Sequence, residues 1–193
     1  TGEQNEQSSF TDRILLDEQI FAGYLSVKGA VADQYEYTAG LRYEYSDLDL
    51  AGRRDSIDRS LSRLFPSVSV TRNFNSSSRL TLAYRERISR PGFQNLAPAF
   101  FYLNPYTVLT GNVQALPNIN RSIEASLHHK GFFALLSYAR DDQPIVNYAV
   151  PELNQEDNLL LFLSDNIERR RQIGLTLGFP VSMPSFWTSR YQL

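Results

Sequence analysis

Residues 34–46 read QYEYTAGLRYEYS and alternate apolar and polar side chains without interruption. Because successive side chains of a β-strand point to opposite faces, this stretch predicts a strand with one apolar and one polar face. Tyrosines lie at both ends of the apolar face, with small or aliphatic residues between them. The strand from Tyr35 to Tyr45 would be roughly 33 Å long, which a tilt of about 40° reduces to roughly 25 Å. That is the height of the apolar band of an outer-membrane barrel, so the stretch predicts a membrane-spanning strand.

The composition excludes several other classes of protein. The 193 residues carry a formal net charge of −2, which gives no basic footprint for nucleic acid. Apolar runs such as residues 159–163 are far shorter than the ~20 residues that a spanning helix needs. The chain contains no cysteine, which excludes a disulfide framework and a cysteine-based zinc site.

Period-two segments recur along the chain as eight spans, and the connections between them alternate short and long. Outer-membrane barrels have this rhythm, with short periplasmic turns and long extracellular loops, whereas most loops of compact domains have about four to six residues. We therefore predict an all-β fold, an antiparallel up-and-down transmembrane β-barrel segment. Short turns are predicted near Asp33, Ser76, Lys130 and Met183, and extracellular loops at about 47–63, 89–120 and 141–166. The third loop is predicted to contain a hairpin of its own, from 145–150 and 158–163.

The same pattern assigns each side chain of a span to lipid or to the barrel lumen. Charged residues of the polar faces, Arg42, Glu44, Arg85 and Arg87, are expected to face the lumen and to pair across strands. The predicted lipid-facing residues are Tyr35, Tyr37, Leu41, Tyr43, Tyr45, Leu80, Leu82, Tyr84, Ile173, Leu175 and Leu177.

The second long connection carries a series of short motifs at regular spacing. They are Arg90-Pro91, Leu96-Ala97-Pro98, Asn104-Pro105-Tyr106, Gly111-Asn112 and Leu116-Pro117. With residues 39–44 (AGLRYE) and 64–68 (LFPSV) in the expected order, the pattern resembles the outer-membrane β-barrel proteins of Bacteroidetes, which are related to TonB-dependent receptors. The chain departs from the family pattern at Val113, Gln114 and Asn118.

The resemblance implies a bacterial outer-membrane barrel of about 22 strands that imports a scarce nutrient. That nutrient would be a siderophore, a vitamin, a glycan or a peptide. Residues 1–193 are then a single partial domain, the central portion of a longer barrel with about eight of its strands. The implied partners are outer-membrane lipid and lipopolysaccharide, the protein's own N-terminal plug, TonB through that plug, and a small nutrient ligand; no nucleic acid is expected.

Prolines and glycines of the second connection fix backbone turns, since proline locks φ and removes a hydrogen-bond donor. The residues predicted to have this structural role are Arg90, Pro91, Pro98, Pro105, Gly111, Asn112 and Pro117. Aromatic side chains in the same connection could stack on a sugar or a siderophore at the extracellular mouth, or pack against neighbouring loops. The candidate ligand contacts are Phe100, Phe101, Tyr102, Asn104 and Tyr106.

The remaining polar clusters point to no catalytic or metal site. His128 and His129 are neighbours on a predicted strand and so face opposite sides, which makes them a poor metal pair. Asp141 and Asp142 lack the ligand spacing of a calcium loop, and no nucleophile elbow occurs. Residues 169–171 (RRR) are predicted to be the solvated upper end of a strand with outer-leaflet lipopolysaccharide phosphates as partners, and recognition of another anion is the alternative. We predict neither an enzyme nor a cofactor.

Two other interpretations remain open from the sequence. The first is a small, self-contained outer-membrane barrel for adhesion or anchoring. The second is a soluble ligand-binding barrel of the lipocalin type, which the tyrosines at both ends of residues 34–46 and the long loops disfavour. If the fragment is produced alone, we expect it to self-associate through its unpaired edges or its apolar face.

Overall fold

The computed structural model of the chain describes residues 15–32, 34–51, 56–150, 160–182 and 188–192. Within them the fold is built from β-strands and one four-residue helix. Among the described residues, no helix is long and apolar enough to cross a membrane. The elements are β1 Leu15–Val31, β2 Tyr35–Ala51, β3 Ser56–Asn75, β4 Ser78–Ser89, α1 Phe93–Leu96, β5 Phe100–Asn104, β6 Thr107–Thr110, β7 Asn118–His129, β8 Phe132–Asp142, β9 Ile145–Val150, β10 Leu160–Asn166, β11 Arg169–Ser182 and β12 Thr188–Gln192.

The main sheet has eight strands in the order β1-β2-β3-β4-β7-β8-β11-β12, and every neighbouring pair is antiparallel. Spans that are consecutive along the chain are therefore neighbours in the sheet, which confirms the predicted up-and-down order of eight spans. Among the described strands β1 and β12 lie at the two edges and do not pair with each other. The sheet is thus an open segment and not a closed eight-stranded barrel.

The register across the sheet aligns the apolar residues of seven strands on one face, which we call the apolar face. Leu41 of β2 pairs with Leu25 of β1, and Leu82 of β4 lies between Val70 of β3 and Ala125 of β7. All eleven residues predicted to face lipid lie on this face of the sheet, as the same register shows. Leu41, Leu82 and the β11 residue Leu175 are exposed and do not gather in a closed interior.

The other face, which we call the polar face, carries the charged residues predicted to face the lumen. Arg85 of β4 pairs with Glu124 of β7 at 2.9 Å between Nη2 and Oε2, so the expected pairing across neighbouring strands occurs here. Arg42 forms its ion pair with Glu44 of the same strand.

Short turns connect the strands at one end of the sheet, which we call the turn end. Lys130 and Gly131 join β7 to β8 and both have positive φ, 48° and 86°, as a two-residue hairpin turn of primed type requires. In the turn from β3 to β4, the side-chain Oδ1 of Asn75 accepts the backbone N–H of Ser77 at 2.9 Å. The predicted turn at Asp33 and the predicted turn at Met183 lie outside the described residues.

The prediction of a long loop at 47–63 is wrong. The β2–β3 hairpin continues through this segment, and paired residues extend from Asp47↔Ser60 to Ala51↔Ser56. The physical reason is that the period-two pattern persists within the polar composition, with Leu48 and Leu50 on one face of β2. Residues 52–55 lie outside the described residues.

The two other long connections are at the opposite end of the sheet, the loop end, and contain secondary structure of their own. The first contains α1, β5 and β6, and the second contains the hairpin β9–β10, which confirms that hairpin with its second strand shifted to Leu160–Asn166. Strand β4 ends at Ser89 and β7 begins at Asn118, so the first connection is shorter than predicted, whereas the second, from 143 to 168, is shifted by two residues without a change in length.

Candidate functional site

The connection between β4 and β7 folds over the polar face at the loop end. Leu96 of α1 and Ala115 pack on Leu50 of β2, and all three side chains are almost fully buried. The partly buried Leu48 and Val113 pack against this cluster. A sheet face that is polar along most of its length thus has a small apolar core where the loop covers it.

Arg90 attaches the start of this connection to the first two strands. Its Nε lies 2.8 Å from Oε1 of Glu18 in β1, and its guanidinium also pairs with Glu44 in β2. Glu44 is only 2% exposed and accepts a second guanidinium, that of Arg42. Burial of a carboxylate is tolerated when charged partners compensate it, so these arginines stabilise Glu44 beneath the loop.

Arg59 of β3 attaches the end of the same connection. Its Nη1 donates to the backbone carbonyl of Ala115 at 2.8 Å, and its Nη2 donates to that of Gln114 at 3.4 Å. Since Arg59 lies in the stretch predicted as a loop, sequence analysis did not identify its role. Continuing the alternation of β3 through Ile57, Arg59 and Leu61 would have placed it on one strand face.

Gly111 lies where two turns of the connection approach each other closely. Its N–H donates to the carbonyl of Ala97 at 3.0 Å. A β-carbon at this position would lie 2.5 Å from that carbonyl oxygen and 2.7 Å from the carbonyl oxygen of Gln94. The backbone arrangement therefore requires glycine at position 111.

Asparagine side chains join the two long connections. Asn112 donates through Nδ2 to Oδ1 of Asp165 at 3.0 Å. Asn166 donates through Nδ2 to the backbone carbonyl of Leu116 at 3.0 Å, and its Oδ1 accepts the backbone N–H of Leu116 at 2.6 Å. Sequence analysis predicted a role for Asn112 but not for residues 164–166 (SDN), whose position directly after an apolar run was the available signal.

These contacts support a second, four-stranded sheet at the loop end, in the order β5-β6-β10-β9, which we call the loop sheet. Strands β6 and β10 come from different connections and pair in parallel, from Leu160↔Thr107 to Leu163↔Thr110. The two connections therefore form one structural unit. Sequence alone could not show this pairing, because the two segments are distant along the chain.

The register of the loop sheet divides the candidate ligand contacts between its two faces. Phe100 and Tyr102 share a face with Val108 and Tyr148, whereas Phe101 lies on the opposite face. Phe100, Tyr102 and Tyr148 are exposed while Val108 is buried, so this face carries three exposed aromatic rings. We call this surface the aromatic face.

Two further candidate contacts lie in the turn between β5 and β6. Asn104 accepts the backbone N–H of Tyr106 at 2.9 Å through its Oδ1, which stabilises the turn. The ring of Tyr106 is exposed at the tip. The structure thus gives Asn104 a local structural contact and leaves Tyr106 accessible.

A buried carboxylate lies on the polar face at the loop end of β8. Asp141 accepts Nδ2 of Asn120 at 2.8 Å, Nδ2 of Asn118 at 3.2 Å and Nε of Arg170 at 3.0 Å. Burial would raise the pKa of Asp141, but the hydrogen bonds from Asn120, Asn118 and Arg170 outweigh it and lower that pKa below its ordinary value. The middle arginine of the predicted run is thereby held on the polar face.

The histidines have separate surroundings at the turn end. Nδ1 of His129 lies 2.8 Å from the hydroxyl of Ser78, and the His128 ring lies 4.7 Å from the ring of Phe133. The two side chains point to opposite faces of β7, as the sequence predicts.

Comparison with known proteins gives a family and a fold. The family described as "Outer membrane protein beta-barrel family" matches residues 1–193. No curated protein sequence matches the chain.

Several solved structures share the fold at low sequence identity. The hemophore receptor HasR of Serratia marcescens, solved with its hemophore HasA and heme, is 12% identical with a TM-score of 0.64, over 84% of this chain and 32% of HasR. The copper transporter OprC is 11% identical with a TM-score of 0.65, over 92% of this chain and 29% of OprC. The siderophore receptor PirA of Acinetobacter baumannii is 16% identical with a TM-score of 0.53, over 91% of this chain and 27% of PirA. The chain spans between 27% and 32% of the length of these structures.

Proposed function

The chain belongs to the outer membrane protein beta-barrel family, and on that premise we propose that it is the barrel portion of a TonB-dependent-receptor-like transporter that imports a scarce nutrient. Its place in the cell is the bacterial outer membrane. The observation that carries the proposal is the two-faced sheet, with exposed apolar residues along one face and charged residues along the other.

The proposed orientation follows from the connections. Outer-membrane barrels have short turns in the periplasm and long loops outside the cell, so the loop end is extracellular. The apolar face then contacts lipid, with Leu82 and Leu175 within the hydrocarbon, and the polar face lines the lumen. The Bacteroidetes origin implied by the sequence motif stays a prediction.

We assign nutrient recognition to the aromatic face of the loop sheet. Ligand sites combine apolar and aromatic walls with a few polar groups, and Phe100, Tyr102 and Tyr148 supply rings that can stack on a flat or sugar-like ligand. Arg59 and Arg90 hold the two ends of the β4–β7 connection to the polar face, and Asn112 of that connection binds Asp165 of β10, which favours a preformed surface. The similar structures are a hemophore receptor with bound heme, a siderophore receptor and a copper transporter, and for this chain we propose a siderophore, a vitamin, a glycan or a peptide as the nutrient.

The proposed partners inside the barrel are an N-terminal plug and, through it, TonB. Arg42 and Arg87 of the polar face are exposed in the described sheet and are available to a plug or to water in the lumen. On the opposite face, outer-membrane lipid is the proposed partner of the exposed apolar residues.

The function is tested by removing the gene and supplying one nutrient class at a time as the growth-limiting source. We expect growth on one class, among ferric chelates, vitamins, glycans and peptides, to require both the gene and TonB. If growth on every class is unaffected while the protein is normally assembled in the outer membrane, the transport proposal fails and the adhesion or anchoring alternative is favoured.

The assignment of the aromatic face is tested with the intact protein once the nutrient class is known. The double variant Phe100→Ala/Tyr102→Ala should weaken nutrient binding by about 30-fold or more, since loss of each stacked ring costs about 1–2 kcal/mol. Phe74→Ala is the matched control, because Phe74 is an exposed ring at the turn end. Equal binding by the double variant and the control would contradict the assignment.

A further inference from the structure

A row of arginines crosses the apolar face at the loop end. The neighbouring row on its turn-end side consists of Tyr84, Ile123, Tyr138 and Ile173, on β4, β7, β8 and β11. The arginine row itself, in the same register, consists of Glu86, Arg121, Arg140 and Arg171, and beyond it on this face lie Ile88 and Ile119 of β4 and β7 and Asp142 of β8. Arg169 lies on the same face of β11 as Arg171, two residues nearer the loop end. We call Arg121, Arg140, Arg169 and Arg171 the rim arginine cluster.

Three of these arginines are direct cross-strand neighbours. Arg121 pairs with Arg140, and Arg140 pairs with Arg171. Side chains directly opposite on an antiparallel pair have β-carbons about 4.5–5.5 Å apart, and like charges in that position destabilise the sheet. Such a row therefore needs anions close to it.

Carboxylates within the sheet supply part of the compensating charge. Asp142 pairs with Arg121, with Arg140 at 2.9 Å and with Arg169 at 3.2 Å. Asp142 is the last residue of β8 at the loop end, outside the membrane-spanning part of that strand. Burial would raise its pKa, but hydrogen bonds from Arg140, Arg169 and Arg121 lower that pKa to about 2.

The second carboxylate, Glu86, is shared with an arginine from a neighbouring strand. Its Oε2 lies 3.3 Å from Nε of Arg121, and its Oε1 lies 2.6 Å from Nη2 of Arg63 in β3. Glu168 lies 4.0 Å from Arg169 but is largely exposed to solvent. Among the described residues, the four arginines of the cluster and Arg63 outnumber these three carboxylates, which leaves an excess of positive charge.

Arg171 is the member of the cluster that has no ion pair with any described residue. It is exposed, at the end of the row farthest from Glu86. Its neighbour Arg170 points to the polar face and is bound to Asp141. The run of three arginines therefore divides, with one member held inside and two presented to the outside.

The geometry points to the phosphate groups of outer-leaflet lipopolysaccharide as the ligands of the rim arginine cluster. This inference rests on the proposed function, because it requires the apolar face to contact lipid and the loop end to be extracellular. In that orientation the row lies at the level of the lipid head groups, directly beyond Tyr84 and Tyr138. Guanidinium groups bind phosphate through paired hydrogen bonds, and surface arginines are attracted to anionic lipid.

The test measures binding of lipid A by the intact protein in phosphatidylcholine nanodiscs, with bound lipid counted by native mass spectrometry. Lipid A that carries both phosphates is compared with the same lipid after enzymatic removal of its phosphates. Wild-type protein should bind the phosphorylated form more tightly. Since each arginine near anionic lipid contributes roughly a fivefold effect, Arg140→Gln/Arg171→Gln should weaken that binding about 25-fold and Arg171→Gln alone about fivefold.

Two matched controls separate this surface from arginines elsewhere. Arg72 lies on the same face at the turn end, where it stacks on the rings of Tyr35 and Phe74. Arg87 is exposed on the polar face of β4. Arg72→Gln and Arg87→Gln should both keep wild-type affinity for lipid A.

Two results would overturn the inference: equal binding of the two lipids by wild-type protein, or wild-type affinity in Arg171→Gln. Arg171→Gln breaks no ion pair with a described residue, so it tests the inference even if the double variant fails to fold. If the gene deletion loses nutrient-dependent growth but wild-type protein binds both lipids equally, the transport proposal stands and the lipopolysaccharide inference is overturned. Normal growth with phosphate-dependent lipid binding overturns only the transport proposal.

Discussion

Gly111 shows at the scale of one residue how the loop-end structure depends on a missing side chain. We predict that Gly111→Ala destabilises the connection by about 1–3 kcal/mol, because the new β-carbon would meet the carbonyls of Ala97 and Gln94. Amide hydrogen exchange of residues 93–117 in the intact protein measures the effect. Gly92→Ala is the matched control, since a β-carbon there would lie 3.6 Å from its nearest neighbour and its φ of −74° suits alanine. Equal exchange in both variants would refute the prediction.

Asp142 provides a pH-dependent prediction at the same scale. Its pKa is about 2 in the folded protein against an ordinary value of 3.8, so it stabilises the fold above that ordinary value. This contribution is lost as the pH falls from about 4 toward about 2, when the carboxylate that faces Arg121, Arg140 and Arg169 becomes protonated. The melting temperature of the intact protein should therefore decrease over this range by more than that of Asp142→Asn. Parallel curves for the two proteins would contradict the assigned pairing.

Single residues also show where sequence reasoning ends. The motif residues Gly111 and Asn112 could be identified because glycine and asparagine have particular backbone and hydrogen-bonding uses. The different orientations of Phe100 and Phe101 depend on the register between β5 and β6, which their composition does not reveal. The role of Arg59 depends on a contact with Ala115, a residue distant in sequence.

At the scale of elements, Arg90 joins the second connection to β1 and β2. We predict that Arg90→Ala accelerates hydrogen exchange in residues 93–96 about 30-fold, which corresponds to about 2 kcal/mol, because Glu18 and the buried Glu44 each lose a charged partner. The matched control is Arg85→Ala, which breaks a pair with Glu124 in which both side chains are more than a third exposed. Such exposed pairs contribute about 1 kcal/mol or less. A larger effect of Arg85→Ala would refute the assigned role of Arg90.

The spans were predictable because a period-two pattern survives in each strand and because turn residues separate the spans. The 47–63 hairpin extension was missed since its Asp, Arg and Ser content outweighed the alternation of Leu48 and Leu50. The loop sheet could not be predicted as a unit, because the parallel pairing of β6 with β10 joins two connections. Of its two hairpins, β9–β10 was predicted and β5–β6 was not, although the predicted Asn104-Pro105-Tyr106 turn joins the strands of the latter.

At the scale of the whole molecule, the open sheet gives a prediction for the chain produced alone. Strand β1 has 17 residues and pairs only with β2 among the described strands, which leaves one row of backbone donors and acceptors free. The exposed apolar face adds to the tendency to associate. We expect a concentration-dependent increase in mass by light scattering. A monomer at every concentration in the absence of detergent would contradict this.

The proposed orientation and transport role both require the apolar face of the sheet to contact lipid. Leu82→Arg should lower the free energy of unfolding of the intact protein in phosphatidylcholine vesicles by about 2–4 kcal/mol, the cost of an arginine near the bilayer midplane. Urea titration measures this free energy. Ala83→Arg, one residue along β4, places the same side chain on the polar face beside Thr38 and Ser67 and opposite Glu124, and should have little effect. Equal stability of the two variants, or greater damage from Ala83→Arg, would contradict the assignment of the apolar face to lipid.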